Sequence, residues 1–133
     1  MNEPTLEQVR QRFTADCFAS KMGTVIEDIK EGYARCYLDI TPLHLNAAGN
    51  VMGGAIFTLA DFAFAVAANW NKPNLHVTLN SHITYLGTAK GKRLIAEARM
   101  VKEGRTTCYC VVDVKDDLGH AVAQITSNGF SIG

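Results

Sequence analysis

An aspartate stands alone inside an apolar run near the middle of the chain. Residues 52–69 read MGGAIFTLADFAFAVAAN, and Asp61 is the only charged residue between His44 and Lys72. A run that is apolar on nearly every side predicts a buried helix, and Asp61 is too deep within it to act as a helix cap. A buried carboxylate needs hydrogen-bond partners or a raised pKa. Asp61 is therefore a candidate general base or nucleophile.

Two glycines at the expected start of this helix are the second chemical feature. Gly53 and Gly54 let a ligand approach the backbone closely, and the free N–H groups of a helix N-terminus favour an oxygen that carries negative charge. A carbonyl that becomes an oxyanion during attack would be stabilised there. Asp61 shares a face with Gly54 but lies roughly 10 Å further along the axis. We therefore expect a site that combines the donors of one chain with the carboxylate of another.

Composition narrows the class of protein. The 133 residues suit one domain with one core, and an apolar content of 47% is that of a globular protein. Thirteen basic residues balance thirteen acidic ones, so neither nucleic acid nor a membrane surface is an expected partner. The first thirteen residues, MNEPTLEQVRQRF, contain no apolar signal segment. We expect a cytoplasmic protein.

The cysteines do not predict a metal site. Cys17, Cys36, Cys108 and Cys110 form no CxxC pair, and no histidine follows at zinc-finger spacing. Cys108 and Cys110 alternate along a probable strand and so share one face. Reduced, buried thiols are the favoured interpretation, and we expect no metal.

The elements around the central helix predict an α+β domain. A first helix is expected from residue 5 to about residue 20, with Thr5 and Gln8 as a capping box and Gly23 as its stop. Turn residues separate strand-like segments that alternate in polarity; these segments are 24–29, 33–40, 75–85, 93–102, 106–115 and 120–132. Short turns imply antiparallel neighbours. One curved sheet covers only part of a helix that is apolar all round, so we expect a homodimer.

Strict alternation along segment 75–85 places Thr78 away from the apolar residues. Leu75, Val77, Leu79, Ile83 and Tyr85 form one face of this strand by that count. Thr78 falls on the opposite face with His76, Asn80 and His82. This predicts that Thr78 faces a partner chain and not its own core.

The loop and helix together resemble a known family. The stretch from Asn46 through Gly49, Met52, Gly53 and Gly54 to Leu59-Ala60-Asp61 resembles the signature of PaaI-type acyl-CoA thioesterases, which have the hotdog fold. That signature reads Asn, a short gap, Gly-x-x-His-Gly-Gly and then Leu-Ala-Asp. The resemblance extends from about residue 22 through most of the chain, including the final Asp-x-x-Gly hairpin.

The resemblance implies a fold and a set of partners. The fold would be α+β, with a curved antiparallel sheet wrapped around a long central helix and an N-terminal helix, as a single hotdog thioesterase domain over residues 1–133. The protein would hydrolyse acyl-CoA to free CoA and a carboxylic acid. It would form a homodimer and then a homotetramer, with sites built from both chains. It would need no cofactor, because CoA is part of the substrate.

The resemblance also implies residue roles. Asp61 would be the general base or nucleophile, and the Gly53 N–H would bind the thioester oxygen. Asn46 would orient the substrate or the attacking water. Thr78 matches a Ser or Thr that assists the water from the opposite subunit. Met52 and Gly54 would contact the substrate. Lys90, Lys92, Arg93 and Arg105 surround turns where the family binds the CoA nucleotide, so we expect Lys90, Arg93 and Arg105 to contact its phosphates.

One departure from the family pattern keeps alternatives open. Met52 stands where the family commonly has histidine, and a thioether accepts hydrogen bonds only weakly. The first alternative, favoured by Met52, is a non-catalytic acyl-CoA binder or sensor. The second is a hydratase or dehydratase, which needs an acid and a base placed for C–H chemistry. We find no Asp-x-x-x-x-His arrangement beside the helix, so this second alternative ranks low.

Overall fold

The computed structural model describes residues 3–132. It contains three α-helices and six strands within this range. In chain order they are α1 (Leu6–Phe13), α2 (Cys17–Met22), β1 (Thr24–Lys30), β2 (Tyr33–Asp39), α3 (Gly53–Asn69), β3 (His76–Tyr85), β4 (Arg93–Glu103), β5 (Thr107–Asp116) and β6 (Ala121–Ser131). A short 3₁₀ turn, Pro42–His44, precedes the loop that leads to α3.

The six strands form one antiparallel sheet in the order β1-β2-β4-β5-β6-β3. Helix α3 lies across its concave face, and the buried residues of both make the core. Leu59, Phe64 and Val66 are fully buried on the helix, opposite Leu94 and Val112 of the central strands. This is the α+β architecture expected from the sequence, with a curved sheet around one long helix. Strand β3 lies at one edge of the sheet and β1 at the other.

The N-terminal segment forms two helices and not the single helix expected to residue 20. Thr5 does cap α1 in a capping box with Gln8, and Gly23 ends α2 with a left-handed φ of 97°. The break falls at Asp16, whose backbone is not helical. Phe13 packs edge-on against Phe62 of α3. This tertiary contact directs the chain and overrides the helical spacing of its apolar residues. The turn leaves Cys17 exposed, whereas the other three cysteines are buried as expected.

A β-bulge in β3 changes which side chains face the helix. Thr78 pairs with Gly129, but Asn80 pairs with Asn128, so Leu79 is an extra residue in the strand. The bulge reverses the alternation. Thr78 therefore shares the inward face with Tyr85, and the prediction that the two lie on opposite faces is wrong. Leu79 itself is 62% exposed.

Helix α3 is not covered on all sides. A stripe along it remains accessible at Gly54, Phe57, Thr58, Asp61 and Ala65. The spacing of three and four residues places these positions on one face of the helix. Part of the core helix therefore has no covering element within residues 3–132, beside the equally unpaired outer edge of β3. No helix in the described range is long and apolar enough to cross a membrane.

Candidate active site

Asp61 and Thr78 form a pair within one chain. Asp61 lies on the accessible stripe of α3, and the bulge turns Thr78 towards it. The Thr78 hydroxyl, Oγ1, lies 3.5 Å from Asp61 Oδ1 and donates a long hydrogen bond to it. The sequence placed Thr78 on the far side of the strand, so this pairing comes from the bulge alone.

Burial raises the pKa of Asp61 above its ordinary value of 3.8. The negative charge of Asp16 raises it further, whereas the hydrogen bond from Thr78 lowers it. Asp16 lies at the break between α1 and α2 and was not recognised as a site residue in the sequence. The net effect is a carboxylate with more affinity for a proton than a surface aspartate has, which suits a general base.

The start of α3 presents free backbone donors. No acceptor within residues 3–132 takes a hydrogen bond from the N–H of Gly53 or Gly54, as expected in the first turn of a helix. Tyr85 reaches across from β3 and donates from its hydroxyl to the Gly53 carbonyl, over 3.0 Å. A Cβ on Gly53 would lie 2.7 Å from that Tyr85 oxygen, so only glycine fits beneath the ring. Tyr85 is thus a positioning residue, whereas alternation along the strand assigned it only to the apolar face.

The loop before α3 is held by side-chain hydrogen bonds to the backbone. Asn46 Oδ1 accepts from the N–H groups of Ala48 and Asn50, at 3.0 and 3.1 Å. This is an Asx-type turn. It fixes the Asn46 side chain in place, and the Asn46 amide nitrogen takes no part in either of these hydrogen bonds. Asn46 lies on the same cavity wall as Gly53.

His44 anchors the base of this loop, a role that the sequence analysis did not predict. Its ring is buried, with Nδ1 accepting from the Thr41 N–H at 3.0 Å and Nε2 2.8 Å from the Met22 carbonyl. The first bond requires Nδ1 to be unprotonated, so Nε2 carries the hydrogen and donates. The His44 carbonyl in turn accepts from the Met52 N–H at 2.8 Å. His44 therefore fixes the residue that precedes the two glycines.

Two cavities flank the start of α3. The larger, about 830 Å³, lies between α2, the 3₁₀ turn and α3. Met52 and Gly54 belong to its wall. The smaller, about 460 Å³, lies on the other side of the helix start, where Gly53, Asn46 and Tyr85 line it. The backbone donors of α3 thus stand between two spaces that a ligand can fill.

The basic residues expected to bind CoA phosphates do not cluster in one chain. Lys90 lies before β4, whereas Arg105 lies beyond its other end, roughly 30 Å away along an eleven-residue strand. Arg93 forms an ion pair with Asp39, with 2.6 Å between Nε and Oδ1, and stacks over the Tyr37 ring. Strand β4 therefore separates Lys90 from Arg105 within one chain, and their contact with CoA phosphates stays a prediction. Arg93 is engaged, whereas the side chains of Lys90 and Arg105 are exposed.

A buried carboxylate, Asp116, holds the loop that carries Lys90. Asp116 is 1% exposed. Its Oδ2 accepts from the backbone N–H groups of Lys90 and Gly91 at 2.7 and 3.0 Å. Burial alone would raise the pKa of Asp116, but these hydrogen bonds, with those from His120, outweigh it and lower that pKa well below 3.8. The loop that carries Lys90 is therefore tied to the β5–β6 hairpin.

No group of three or more His, Cys, Asp or Glu side chains among residues 3–132 is arranged to hold a metal ion. The potential ligands nearest the site are already engaged. The His44 ring uses both nitrogens within the protein, and Asp61 has Thr78 as its neighbour. What the site offers is one carboxylate, one hydroxyl and backbone N–H donors.

The chain thus has a helix cradled by one antiparallel sheet, with free N–H donors at the helix start and a carboxylate of raised pKa further along. The model of the thioesterase superfamily matches residues 48–123, which hold the end of the loop and all of α3. The chain belongs to this superfamily, and the resemblance to its PaaI-type members is confirmed.

Individual relatives agree with this membership. A putative esterase of Archaeoglobus fulgidus is 39% identical over 74% of this chain and 64% of its own length. The chain thus matches just under two thirds of that relative. The acyl-coenzyme A thioesterase PaaI of Escherichia coli is 26% identical over 100% of this chain and 95% of its own.

Solved structures establish the fold. The structure of E. coli PaaI superposes with a TM-score of 0.84 at 24% identity and covers 97% of both chains. A hypothetical thioesterase from Streptococcus pneumoniae, solved with coenzyme A, reaches a TM-score of 0.84 at 30% identity and covers 92% of this chain and 96% of that one. The fold is the hotdog fold expected from the sequence.

Proposed function

We propose that this protein hydrolyses acyl-CoA thioesters to free CoA and a carboxylic acid, in sites shared between two chains. One observation carries the proposal. Asp61, whose pKa is raised by burial, lies on the accessible stripe of α3 that begins at Gly54, and the N–H groups of Gly54 and of the adjacent Gly53 have no acceptor. The names of its relatives, which include an acyl-CoA thioesterase and a thioesterase solved with coenzyme A, support the substrate class.

The distance between the two groups requires a second chain. Gly53 and Asp61 are eight residues apart, or about 12 Å along the helix axis. For hydrolysis, the thioester oxygen must lie about 3 Å from the oxyanion donor while the acyl carbon lies about 3 Å from the attacking water. Two α3 helices that pack antiparallel along their stripes bring Gly53 of each chain beside Asp61 of the other. The two-fold symmetry of such a dimer generates two equivalent sites.

Each group has a defined step in the hydrolysis. Asp61 accepts a proton as water attacks the acyl carbon, and Thr78 holds the water or the carboxylate in place. The Gly53 N–H stabilises the oxygen that gains negative charge. When the C–S bond breaks, the sulfur leaves as CoA and takes up the proton from Asp61. In the nucleophilic variant of this mechanism, Asp61 itself attacks, and water then hydrolyses the anhydride.

The same dimer would use the free edge of β3. An exposed, unpaired edge strand readily pairs with another chain, and β3 exposes Leu79 beside the stripe of α3. Pairing of β3 with β3 would continue the sheet across the dimer while α3 packs on α3. It also brings basic residues of different chains together, so Lys90 and Arg105 would reach one nucleotide only across subunits. A dimer of such dimers is the proposed tetramer.

Thiol release tests the activity. Wild type, Asp61→Asn and Thr78→Ala are compared on a panel of acyl-CoA esters with a thiol reagent. Loss of a general base lowers kcat by about 10²- to 10⁴-fold, so Asp61→Asn is expected to lose nearly all turnover. Glu7→Gln, which changes an exposed carboxylate on α1, is the matched control. Full turnover in Asp61→Asn would overturn the role of Asp61.

Single turnover in ¹⁸O-water separates the two variants of the mechanism. A general base delivers the heavy oxygen to the acid product in the first turnover. If Asp61 is the nucleophile and water attacks the anhydride at the Asp61 carbonyl, Asp61 gives one of its own oxygens to the product, so the heavy oxygen appears in the carboxylate of the protein. Heavy oxygen in Asp61-containing peptides after one turnover, measured by mass spectrometry, would establish the nucleophilic variant.

The second candidate function is a non-catalytic acyl-CoA binder. Met52 favours it, because a thioether is a poor hydrogen-bond acceptor where the family commonly has an imidazole. Calorimetry with octanoyl-CoA, alongside the thiol assay, distinguishes the two. Tight binding with no thiol release by wild type would assign the binder and reject the hydrolase.

A further inference from the structure

The larger cavity beside the start of α3 is apolar and has no assigned role. Its wall is formed by α2, by the end of the 3₁₀ turn and by Met52 with the first turns of α3. Three apolar side chains of this wall are more exposed than apolar residues usually are: Phe18 at 70%, Leu43 at 74% and Met52 at 52%. Exposed apolar side chains around one cavity indicate a binding surface.

The polar groups in this wall have little left to offer a ligand. Both ring nitrogens of His44 are engaged within the protein. The Thr58 hydroxyl donates to the Gly54 carbonyl at 2.8 Å, and the Cys17 thiol donates to the Ala15 carbonyl at 3.4 Å. Lys21 is exposed, and its long chain keeps the ammonium in water. A ligand group with hydroxyls or charges would find few partners inside, and its burial would cost free energy.

The cavity is continuous with the oxyanion donors. Gly54 and Met52 belong to its wall, whereas Gly53 faces the smaller cavity on the other side. The smaller cavity is lined by Asn46, Asn50, Tyr85 and Thr88, whose amides and hydroxyls suit the amide groups of a pantetheine arm. A thioester whose oxygen rests on the helix N-terminus therefore has one polar and one apolar space beside it.

We propose that the larger cavity binds the acyl chain of the substrate and selects an extended, unsubstituted hydrocarbon, while the pantetheine arm occupies the smaller cavity. This inference rests on the proposed function and names its substrate class. The two methionines of the wall, Met22 and Met52, are unbranched and flexible, so they adapt to acyl chains of different length. Met52 thereby has a role as a specificity determinant at the position where the family has histidine.

Two matched variants test the acyl chain assignment. Leu43→Ser removes one exposed leucine from the cavity wall, and Leu118→Ser removes another of similar exposure, 63%, from the β5–β6 turn outside it. The readout is the ratio of kcat/KM for octanoyl-CoA to that for butanoyl-CoA, in which shared contacts to CoA cancel. We expect wild type to prefer octanoyl-CoA by at least about tenfold, because each buried methylene adds to binding. Leu43→Ser should lower the ratio about fivefold, and Leu118→Ser should leave it unchanged.

A second comparison tests whether the wall of the larger cavity lacks hydrogen-bond partners for a ligand. Phenylacetyl-CoA and para-hydroxyphenylacetyl-CoA differ by one hydroxyl, and we expect the hydroxylated ester to have the lower kcat/KM. Preference for it, or equal ratios in Leu43→Ser and Leu118→Ser, would overturn the proposal. So would a change of oligomeric mass in Leu43→Ser with an unchanged ratio, since that result assigns the cavity to subunit packing.

The binding measurement separates this proposal from the proposed function. If no ester is hydrolysed, calorimetry with octanoyl-CoA and with CoA still tests the cavity. Tighter binding of octanoyl-CoA by wild type, lost in Leu43→Ser but kept in Leu118→Ser, would support the acyl chain site while rejecting hydrolysis. Equal affinity for octanoyl-CoA and CoA would overturn the acyl chain site.

Discussion

Thr78 Oγ1 lies 3.5 Å from Asp61 Oδ1 because one extra residue, Leu79, interrupts the regular alternation of β3. Without this bulge, Thr78 would face away from the helix, as strict alternation predicts. The bulge lies between Thr78 and Tyr85, so both side chains face inward and meet α3 at two points, about two turns apart. β-Bulges commonly re-aim side chains near functional sites in this way.

Deletion of Leu79 tests this relationship. The deletion restores regular alternation, and since Tyr85 is anchored on Gly53, we expect Thr78 to turn outward. Turnover should fall about as far as in Thr78→Ala, by roughly tenfold or more. Leu79→Ala keeps the bulge and is the control. Unchanged kcat in a folded deletion variant, with folding checked by circular dichroism, would show that the bulge does not position Thr78.

The raised pKa of Asp61 predicts a pH-dependent gain of stability in Asp61→Asn. Folding raises the pKa of Asp61. The contribution of Asp61 to stability is therefore fully present below its pKa in the unfolded chain, near 3.8, and is lost as pH rises through its pKa in the folded protein. Asparagine resembles the neutral acid. We therefore expect Asp61→Asn to have a higher Tm than wild type at neutral pH, with the difference vanishing in acid.

Asp113→Asn provides a control of opposite sign for this experiment. Burial raises the pKa of Asp113, but hydrogen bonds from Gln124 and Arg99 outweigh it, so the net pKa is lowered. The contribution of Asp113 to stability is present above its pKa in the unfolded chain and is lost as pH falls through its pKa in the folded protein. We expect Asp113→Asn to have a lower Tm than wild type at neutral pH. Equal Tm values for Asp61→Asn and wild type across the whole pH range would contradict the shift at Asp61.

Asp16 provides a second test of the same carboxylate. Its charge raises the pKa of Asp61, and its side chain makes no capping hydrogen bond to α2. Asp16→Asn therefore removes a repulsion without removing a cap. The acid limb of the pH–kcat/KM profile should move to lower pH, because Asp61 then ionises at lower pH. Glu7→Gln is expected to leave the limb in place, and a shift of equal size in both variants would point to net charge as the cause.

Gly53 and Tyr85 are expected to be energetically coupled. A Cβ at position 53 would lie 2.7 Å from Tyr85 Oη, so Gly53→Ala must displace the ring and its hydrogen bond, at a cost of about 1–2 kcal/mol. In the Tyr85→Ala background this cost should disappear. Chemical denaturation of the four proteins in the cycle measures the coupling.

Gly54→Ala is the matched control for this cycle. A Cβ there has only Met52 atoms within 4.0 Å, so alanine gains helix propensity without a clash. Its effect on the free energy of unfolding should be the same with Tyr85 present or absent. Zero coupling between Gly53 and Tyr85 would refute the close packing of the ring on the helix start.

Composition and spacing predicted the features that depend on local pattern. The apolar run identified α3 and the placement of Asp61 within it, and the turn residues identified all six strands to within a few residues. The double glycine correctly indicated the free donors of the helix start. These features follow from periodicity and from the intrinsic properties of single residues.

Other features depend on contacts that the sequence does not display. The break before α2 follows from Phe13 packing on Phe62, and the inward turn of Thr78 follows from a bulge that leaves no sign in the alternation. Arg93 forms an ion pair with Asp39, a residue 54 positions away. The sequence pattern therefore does not show that the charge of Arg93 is already paired. The anchoring role of His44 depends likewise on carbonyl and N–H groups of distant residues.

The strand order carries a consequence for folding. Strand β3 is central in the chain but pairs only with β6, so residues separated by about fifty positions must meet before Thr78 has a fixed place. Strand β2 pairs with β4 across a similar separation, whereas β1–β2, β4–β5 and β5–β6 are joined by short turns. Because distant contacts pay more loop-closure entropy, they tend to form late. The Thr78–Asp61 pair depends on one of these two long-range pairings, so the local hairpins should form before it, which leaves an early folding intermediate with its hairpins in place and no competence for chemistry.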